Sequence, residues 1–216
     1  MYDVDAQYSP SPSMMARVRA STLPNGNLSK NIALAMTDLP VRPLIRQLRD
    51  APELWDSCRL RTENPKSPHR DMQDIIVRYN DPNKYEFDRE KFNDAHDAVW
   101  WSPAIDLLPA VKTIVFDLMR QVEGERLGMV LITRLPAGAT CHPHRDTGWH
   151  AEYFHKYAVL LQSHLTSAFC FEDGARVRAV PGEAWWFRNQ CVHWVENPTL
   201  VDRLTMIVCM KPGRPY

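Results

Sequence analysis

Short segments with β-sheet character recur between turn signals over residues 128–210, and this pattern constrains the fold more than any other feature. The dipeptides Asp173-Gly174 and Pro181-Gly182 favour tight turns because glycine accepts a positive φ. Many short strands at close spacing are typical of an all-β sandwich or barrel, so we expect a mainly β domain with helices packed outside it. The predicted strands are Met129–Leu135, Tyr157–Leu161, Ala168–Phe171, Arg176–Val180, Ala184–Phe187, Val192–Glu196 and Leu204–Met210.

The preceding part of the chain contains amphipathic segments. From Pro109 to Val122 the apolar residues recur at helical spacing and form one continuous face, which predicts a helix. Residues 41–50 predict a second, shorter helix, and Gln73–Tyr79 predicts a strand. Residues 1–36 are rich in Ser, Pro, Asn and Met and predict a flexible or surface-laid arm, which leaves 37–216 as a single domain.

Charge and cysteine usage exclude several classes of protein. Lysine plus arginine and aspartate plus glutamate each number 26, so the net charge is zero, and neither nucleic-acid binding nor a polybasic membrane contact is expected. No apolar run is long enough for a transmembrane helix, and the first residues lack the apolar core of a signal peptide. The five cysteines contain no CxxC pair, which indicates a reducing, cytoplasmic setting.

A group of metal-ligand residues follows the first predicted strands. His144 and Asp146 are two apart, so on an extended chain their side chains leave from one face, and His193 lies in a later strand. Two histidines and one carboxylate leave three positions open on an ion, an arrangement that suits Fe(II), a bidentate co-substrate and O₂. Arg203 follows shortly after His193, and a buried guanidinium there would pair with a dicarboxylate co-substrate.

These residues belong to a longer set of matching motifs between Thr133 and Pro212. The set resembles the iron(II)/2-oxoglutarate oxygenases of the aspartyl/asparaginyl β-hydroxylase type, a group that includes small free-amino-acid hydroxylases of the proline type. The resemblance implies a double-stranded β-helix, a cupin-like jelly roll with the metal inside its open end. The matching pieces are Thr133-Arg134-Leu135-Pro136-Ala137-Gly138, His144-Arg145-Asp146, Pro181-Gly182-Glu183-Ala184-Trp185, His193-Trp194-Val195-Glu196-Asn197 and Arg203.

The resemblance also implies the role of each matching residue. His144, Asp146 and His193 would hold iron, while Arg203 and Thr133 would bind the distal carboxylate of 2-oxoglutarate. The family has an Arg-x-His pair on the next strand, where this chain has Lys156 and Ala158, so Lys156 keeps the charge but the imidazole is missing. A carboxylate at Asp146 argues against a halogenase, which needs that position for chloride.

The reaction that the resemblance implies is hydroxylation of an unactivated C–H bond in an amino-acid-like small molecule or a peptide side chain. O₂ and 2-oxoglutarate would be consumed, and the 2-oxoglutarate would be decarboxylated to succinate. Trp149 and Tyr153, in a predicted loop over the mouth, are candidate substrate contacts. Asp74 and Arg78 could receive the ammonium and carboxylate of an amino acid. The alternatives are a metal-dependent cupin enzyme that does not use 2-oxoglutarate and a non-catalytic jelly-roll binding module.

Overall fold

The computed structural model describes residues 29–85 and 88–213, so residues 1–28 of the predicted arm lie outside the described residues. The strands in chain order are β1 (Ile32–Met36), β2 (Gln73–Tyr79), β3 (Val99–Trp100), β4 (Gly124–Leu135), β5 (Thr140–His144), β6 (His155–Gln162), β7 (Ala168–Phe171), β8 (Arg176–Val177), β9 (Ala184–Phe187), β10 (His193–Glu196) and β11 (Arg203–Pro212). The helices are α1 (Val41–Asp50), α2 (Arg89–Asp94), α3 (Ala104–Leu107), α4 (Ala110–Gln121) and α5 (Trp149–Tyr153), and Pro52–Leu54 forms a 3₁₀ turn.

Two antiparallel sheets form the core of the molecule. The larger has seven strands in the order β1-β9-β6-β11-β4-β2-β3, and the smaller has four in the order β5-β10-β7-β8. Side chains that alternate along β6 show how the layers are built. Tyr157, Val159 and Leu161 pack against the core that α1 and α4 cover, whereas Ala158 and Leu160 pack between the sheets. Burial of both faces explains why the strands of the larger sheet are apolar almost without interruption.

Most of the predicted elements are present. The helix expected from Pro109 to Val122 is α4, and the strand over Gln73–Tyr79 and the helix over 41–50 are confirmed as β2 and α1. Gly182 has a φ of 91° at the turn where Glu183 N–H bonds to Val180 O, as a type II turn requires. None of the helices in the two described ranges has the length and apolar character needed to cross a bilayer.

Three expectations about local structure are corrected. Residues 32–36, assigned to the arm, form β1 and pair with β9, because Ile32 and Leu34 bury their side chains between the sheets. The strand expected over Arg176–Val180 ends at Val177. Residues 149–153, expected in a loop, form α5, where Trp149 Nε1 donates a hydrogen bond to Asn93 O.

A long irregular segment, residues 55–72, packs against the end of the smaller sheet. It contains turns but no helix or strand. His142 of β5 fastens it, because its backbone N–H bonds to Pro68 O at 2.9 Å and its Nε2 lies 2.7 Å from Asp71 Oδ2. The 55–72 segment therefore forms a fixed wall beside the residues at the end of β5.

Candidate active site

His144, Asp146 and His193 converge at the end of the smaller sheet. His144 ends β5 and His193 begins β10, and the two residues are direct partners in the antiparallel pairing of these strands. Asp146 follows two residues after His144. Its Oδ1 lies 3.9 Å from His144 Nε2, and its Oδ2 lies 3.9 Å from His193 Nε2. One ligand atom from each of the three residues thus lies within 4.8 Å of the others, which is close enough for a shared ion.

Both imidazoles are held in the form that binds a metal. His144 Nδ1 lies 2.7 Å from His142 O, and His193 Nδ1 lies 2.8 Å from Cys191 O. Because a carbonyl only accepts, each Nδ1 carries the proton and each Nε2 has a free lone pair. Burial lowers the pKa of His144 and lowers that of His193 to about 4, so both rings are neutral at pH 7.

Asp146 is ionised and paired with a lysine from the larger sheet. Lys156 Nζ lies 2.7 Å from Asp146 Oδ2, and the lysine is 8% exposed. Burial acts to raise the pKa of Asp146, but the positive charge of Lys156 and its hydrogen bond to the carboxylate outweigh burial and hold the pKa below its usual value. The carboxylate is therefore available as a ligand at neutral pH.

Arg203 lines the same cavity as these residues. It begins β11 and is 3% exposed, and its Nη1 donates to Ser163 Oγ at 2.9 Å and to Ser167 Oγ at 3.1 Å. Its buried Nε has no hydrogen-bond acceptor, and no carboxylate within residues 29–85 and 88–213 forms an ion pair with it. Burial lowers its pKa to about 10, so the guanidinium stays charged at pH 7.

Hydroxyl groups and apolar side chains complete this part of the cavity. Thr133 on β4 and Thr205 on β11 are cross-strand partners, and Thr133 Oγ1 donates to Thr205 O at 3.4 Å. Ala158 lines the wall near Lys156 and offers no polar group. The apolar lining residues include Leu135, Phe169, Phe187, Val195 and Ile207.

The 55–72 segment adds residues that the sequence patterns do not predict. Arg61 and His69 line the cavity together with Cys141 of β5, and the His69 ring meets the His144 ring edge-on with 4.6 Å between centroids. His69, Cys141 and His144 form a second group of possible ligand atoms. Burial raises the pKa of Cys141 to about 12, so its thiol is protonated at pH 7, and the group with Asp146 is the better metal site.

The residues predicted to contact the substrate lie elsewhere. Asp74 is 2% exposed and forms a two-bond ion pair with Arg61 behind the cavity wall. Arg78 and Trp149 line a second cavity, whose lining shares no residue with the first. The Tyr153 hydroxyl accepts a hydrogen bond from Arg126 on the surface. The structure therefore does not bring these four side chains to the cavity of His144, Asp146 and His193.

Comparison with known proteins establishes the fold. No family model and no curated protein matches the sequence. The structure is similar to a prolyl hydroxylase from Trichoplax adhaerens in complex with a hypoxia inducible factor peptide fragment, at 9% identity and a TM-score of 0.56, covering 85% of this chain and 84% of that one. The chain has a jelly-roll fold. It is also similar to the viral collagen prolyl hydroxylase of Paramecium Bursaria Chlorella virus-1, at 7% identity and a TM-score of 0.51, covering 86% and 98%.

The jelly roll explains how the cavity is assembled. His144 and His193 lie on β5 and β10 of the smaller sheet, whereas Thr133, Lys156 and Arg203 lie on β4, β6 and β11 of the larger one. The cavity therefore lies between the two sheets, with candidate metal ligands on one side and cationic and hydroxyl groups on the other. The double-stranded β-helix predicted from the sequence is confirmed.

Proposed function

We propose that the protein is an iron(II)- and 2-oxoglutarate-dependent dioxygenase that hydroxylates an unactivated C–H bond of an amino-acid-like small molecule or a peptide side chain. One observation carries the proposal. A single cavity contains both a group of two histidines and one carboxylate and a buried guanidinium to which no acid in the described ranges is paired. The first suits Fe(II) with open positions, and the second suits a dicarboxylate co-substrate.

The donor set fits iron. His144 Nε2, His193 Nε2 and an Asp146 oxygen would hold it, and each is already in the protonation state that ligation needs. When bound, iron(II) supplies the activation of O₂ that couples decarboxylation of 2-oxoglutarate to succinate with hydroxylation of the substrate. The backbone carbonyls of His142 and Cys191 orient the two rings, so the geometry of the ligands is fixed before the metal arrives.

Arg203 and its surroundings fit the co-substrate. The unpaired Nε of Arg203 provides a donor for the distal carboxylate of 2-oxoglutarate, and the Thr133 hydroxyl could provide a second by turning away from its 3.4 Å bond to Thr205 O. Lys156 places a positive charge next to the candidate metal ligands, where the opposite carboxylate would lie. The viral hydroxylase of similar fold has been captured with 2-oxoglutarate, which supports the same co-substrate here.

The cavity lining has a role in the reaction as well. Phe169, Phe187 and Ile207 exclude water from the space between the metal ligands and Arg203. A dry interior strengthens the ionic contacts of the co-substrate and protects reactive species from solvent. The protein thus contributes ligand geometry, charge and water exclusion.

Anaerobic titration tests the proposal. The protein with Fe(II) should bind 2-oxoglutarate with a visible charge-transfer absorption, and admission of O₂ should yield succinate. Asp146→Ala should abolish both signals, whereas Asp50→Ala, which alters an exposed carboxylate at the end of α1, should leave them unchanged. Iron binding without 2-oxoglutarate binding would indicate a different cupin enzyme, and failure to bind any divalent metal would indicate a binding module. Either result refutes the proposal.

A further inference from the structure

A second guanidinium, that of Arg61, lines the cavity of the candidate metal ligands. It comes from the 55–72 segment and is 22% exposed. Its Nε and Nη2 donate to Asp74 Oδ2 and Oδ1 at 2.8 and 3.2 Å. Among the residues that the structure describes, none accepts a hydrogen bond from its Nη1, which leaves donors for a ligand.

Arg61 is held rigidly by its neighbours. Asp74 is 2% exposed and lies on β2, so the ion pair fastens the guanidinium to the larger sheet. Ser67 Oγ donates to the backbone oxygen of Arg61, and His142 fastens the following residues to β5. A guanidinium fixed in this way loses little conformational entropy when it binds an anion, so it is preorganised for a carboxylate.

The charges of the cavity favour an anionic substrate. Arg61, Lys156 and Arg203 are three cations, and Asp74 and Asp146 are the two carboxylates paired with the first two of them. One positive charge therefore remains. The charges of Fe(II) and of the 2-oxoglutarate dianion cancel each other, so the same positive charge remains once both are bound. A substrate carboxylate would supply the matching negative charge, whereas the backbone of an internal peptide residue has no charged group to offer.

We propose that Arg61 binds the carboxylate of the substrate, which is therefore a small free carboxylic acid and not a residue inside a polypeptide chain. This inference rests on the proposed function, because it assumes that the metal and co-substrate occupy the rest of the cavity. It makes Arg61 a determinant of specificity and gives Asp74, a predicted substrate contact, the role of holding that guanidinium in place.

The test compares acids with their uncharged counterparts. The common amino acids and short-chain fatty acids, each paired with its primary amide, are assayed for stimulation of succinate formation by the enzyme with Fe(II) and 2-oxoglutarate. At least one free acid should stimulate turnover, and its amide should have a KM about 10- to 100-fold higher because a charge-assisted hydrogen bond is lost. Equal stimulation by acid and amide, or no stimulation by any acid, overturns the inference.

Variants show whether Arg61 is responsible. Removing Arg61 alone would leave an unpaired buried charge on Asp74. The experiment therefore uses the double variant Arg61→Gln/Asp74→Asn, which replaces the ion pair with a neutral hydrogen-bonded pair. It should lose the preference for acid over amide through a change in KM, while anaerobic 2-oxoglutarate binding stays intact. Arg59→Gln, on the exposed side of the same segment, should keep the preference.

Each outcome of the variant experiment is decisive. If the double variant keeps the preference for acid over amide, Arg61 only supports the cavity wall, and the inference is overturned. Loss of 2-oxoglutarate binding in the double variant means that Arg61 serves the co-substrate, which also overturns the inference. If the unaltered enzyme fails to bind 2-oxoglutarate at all, the proposed function fails instead, so the two failures are distinguishable.

Discussion

Replacing Arg203 with methionine should separate the stability of the fold from the binding of the co-substrate. Burial lowers the pKa of Arg203 from 12.5 to about 10, and this difference corresponds to about 3 kcal/mol for keeping the charge in the protein interior. The two bonds to Ser163 and Ser167 return about 1 kcal/mol each. We therefore expect Arg203→Met to leave the free energy of unfolding of the metal-free protein unchanged or to raise it by about 1 kcal/mol.

The same substitution should greatly weaken 2-oxoglutarate binding. A carboxylate held by two charge-assisted hydrogen bonds from a buried guanidinium gains at least about 3 kcal/mol, which corresponds to more than about 100-fold in affinity. Methionine has a similar volume but donates no hydrogen bond. Iron binding should be unaffected, because Arg203 contacts none of His144, Asp146 and His193.

Two measurements check this pair of effects. Urea unfolding of the metal-free protein gives the change in stability, and anaerobic titration of the protein with Fe(II) gives the change in 2-oxoglutarate affinity. The matched control is Arg178→Met, which removes an exposed arginine directly after β8 of the smaller sheet. A loss of 3 kcal/mol in stability together with unchanged affinity would show that Arg203 is a structural residue, and the reasoning would be refuted.

Three further predictions concern charge, pH and backbone geometry. Lys156→Met should tighten Mn(II) binding about 10-fold, because the ammonium that occupies Asp146 Oδ2 is removed; weaker binding in a competition titration would contradict this. Burial lowers the pKa of His150 from 6.5 to about 4. As the pH falls below 6.5, His150 therefore binds a proton in the unfolded chain but not in the folded protein, and the free energy of unfolding decreases. Between pH 7 and 5 the wild type should lose about 2 kcal/mol more than His150→Gln in urea unfolding, and equal losses would show that His150 titrates normally. Gly182→Ala should lower the free energy of unfolding by about 1 to 2 kcal/mol, since φ is 91° there and Leu39 O lies 3.3 Å from the added carbon; an unchanged Tm would contradict it.

The sequence predicts the fold well where local pattern decides structure. Helix α4 carries a helical apolar periodicity, and strand β6 carries a short continuous apolar run that is buried on both faces. The spacing of His144 and Asp146 places both near the end of a single strand. His193 is different, because its position opposite His144 depends on the register between β5 and β10. No local pattern specifies that register, so the sequence offers His193 only as a histidine in a later predicted strand, and the family resemblance implies the same residue.

The sequence fails where long-range packing decides structure. Arg61 and His69 lie in the irregular 55–72 segment, which has no periodicity to predict, yet both line the cavity. Trp149 is a predicted substrate contact because it lies close to His144 and Asp146 along the chain. In the structure it begins helix α5, and its indole stacks on His96 outside the cavity of the candidate metal ligands. Asp74 is a predicted substrate contact, whereas in the structure the wall formed by residues 55–72 covers it and Arg61 binds its carboxylate.

The separation of the candidate metal ligands from Arg203 onto opposite sheets has a mechanical consequence. A co-substrate held at one end through His144 and His193 and at the other by Arg203 would link two layers that also meet through apolar side chains such as Phe169 and Phe187 and through the ion pair of Lys156 with Asp146. Its length would then set the spacing of the layers, so that a dicarboxylate one methylene shorter would have to draw the sheets together to engage both ends. Under the proposed function, discrimination among co-substrates by chain length would therefore follow from the stiffness of the two-layered fold.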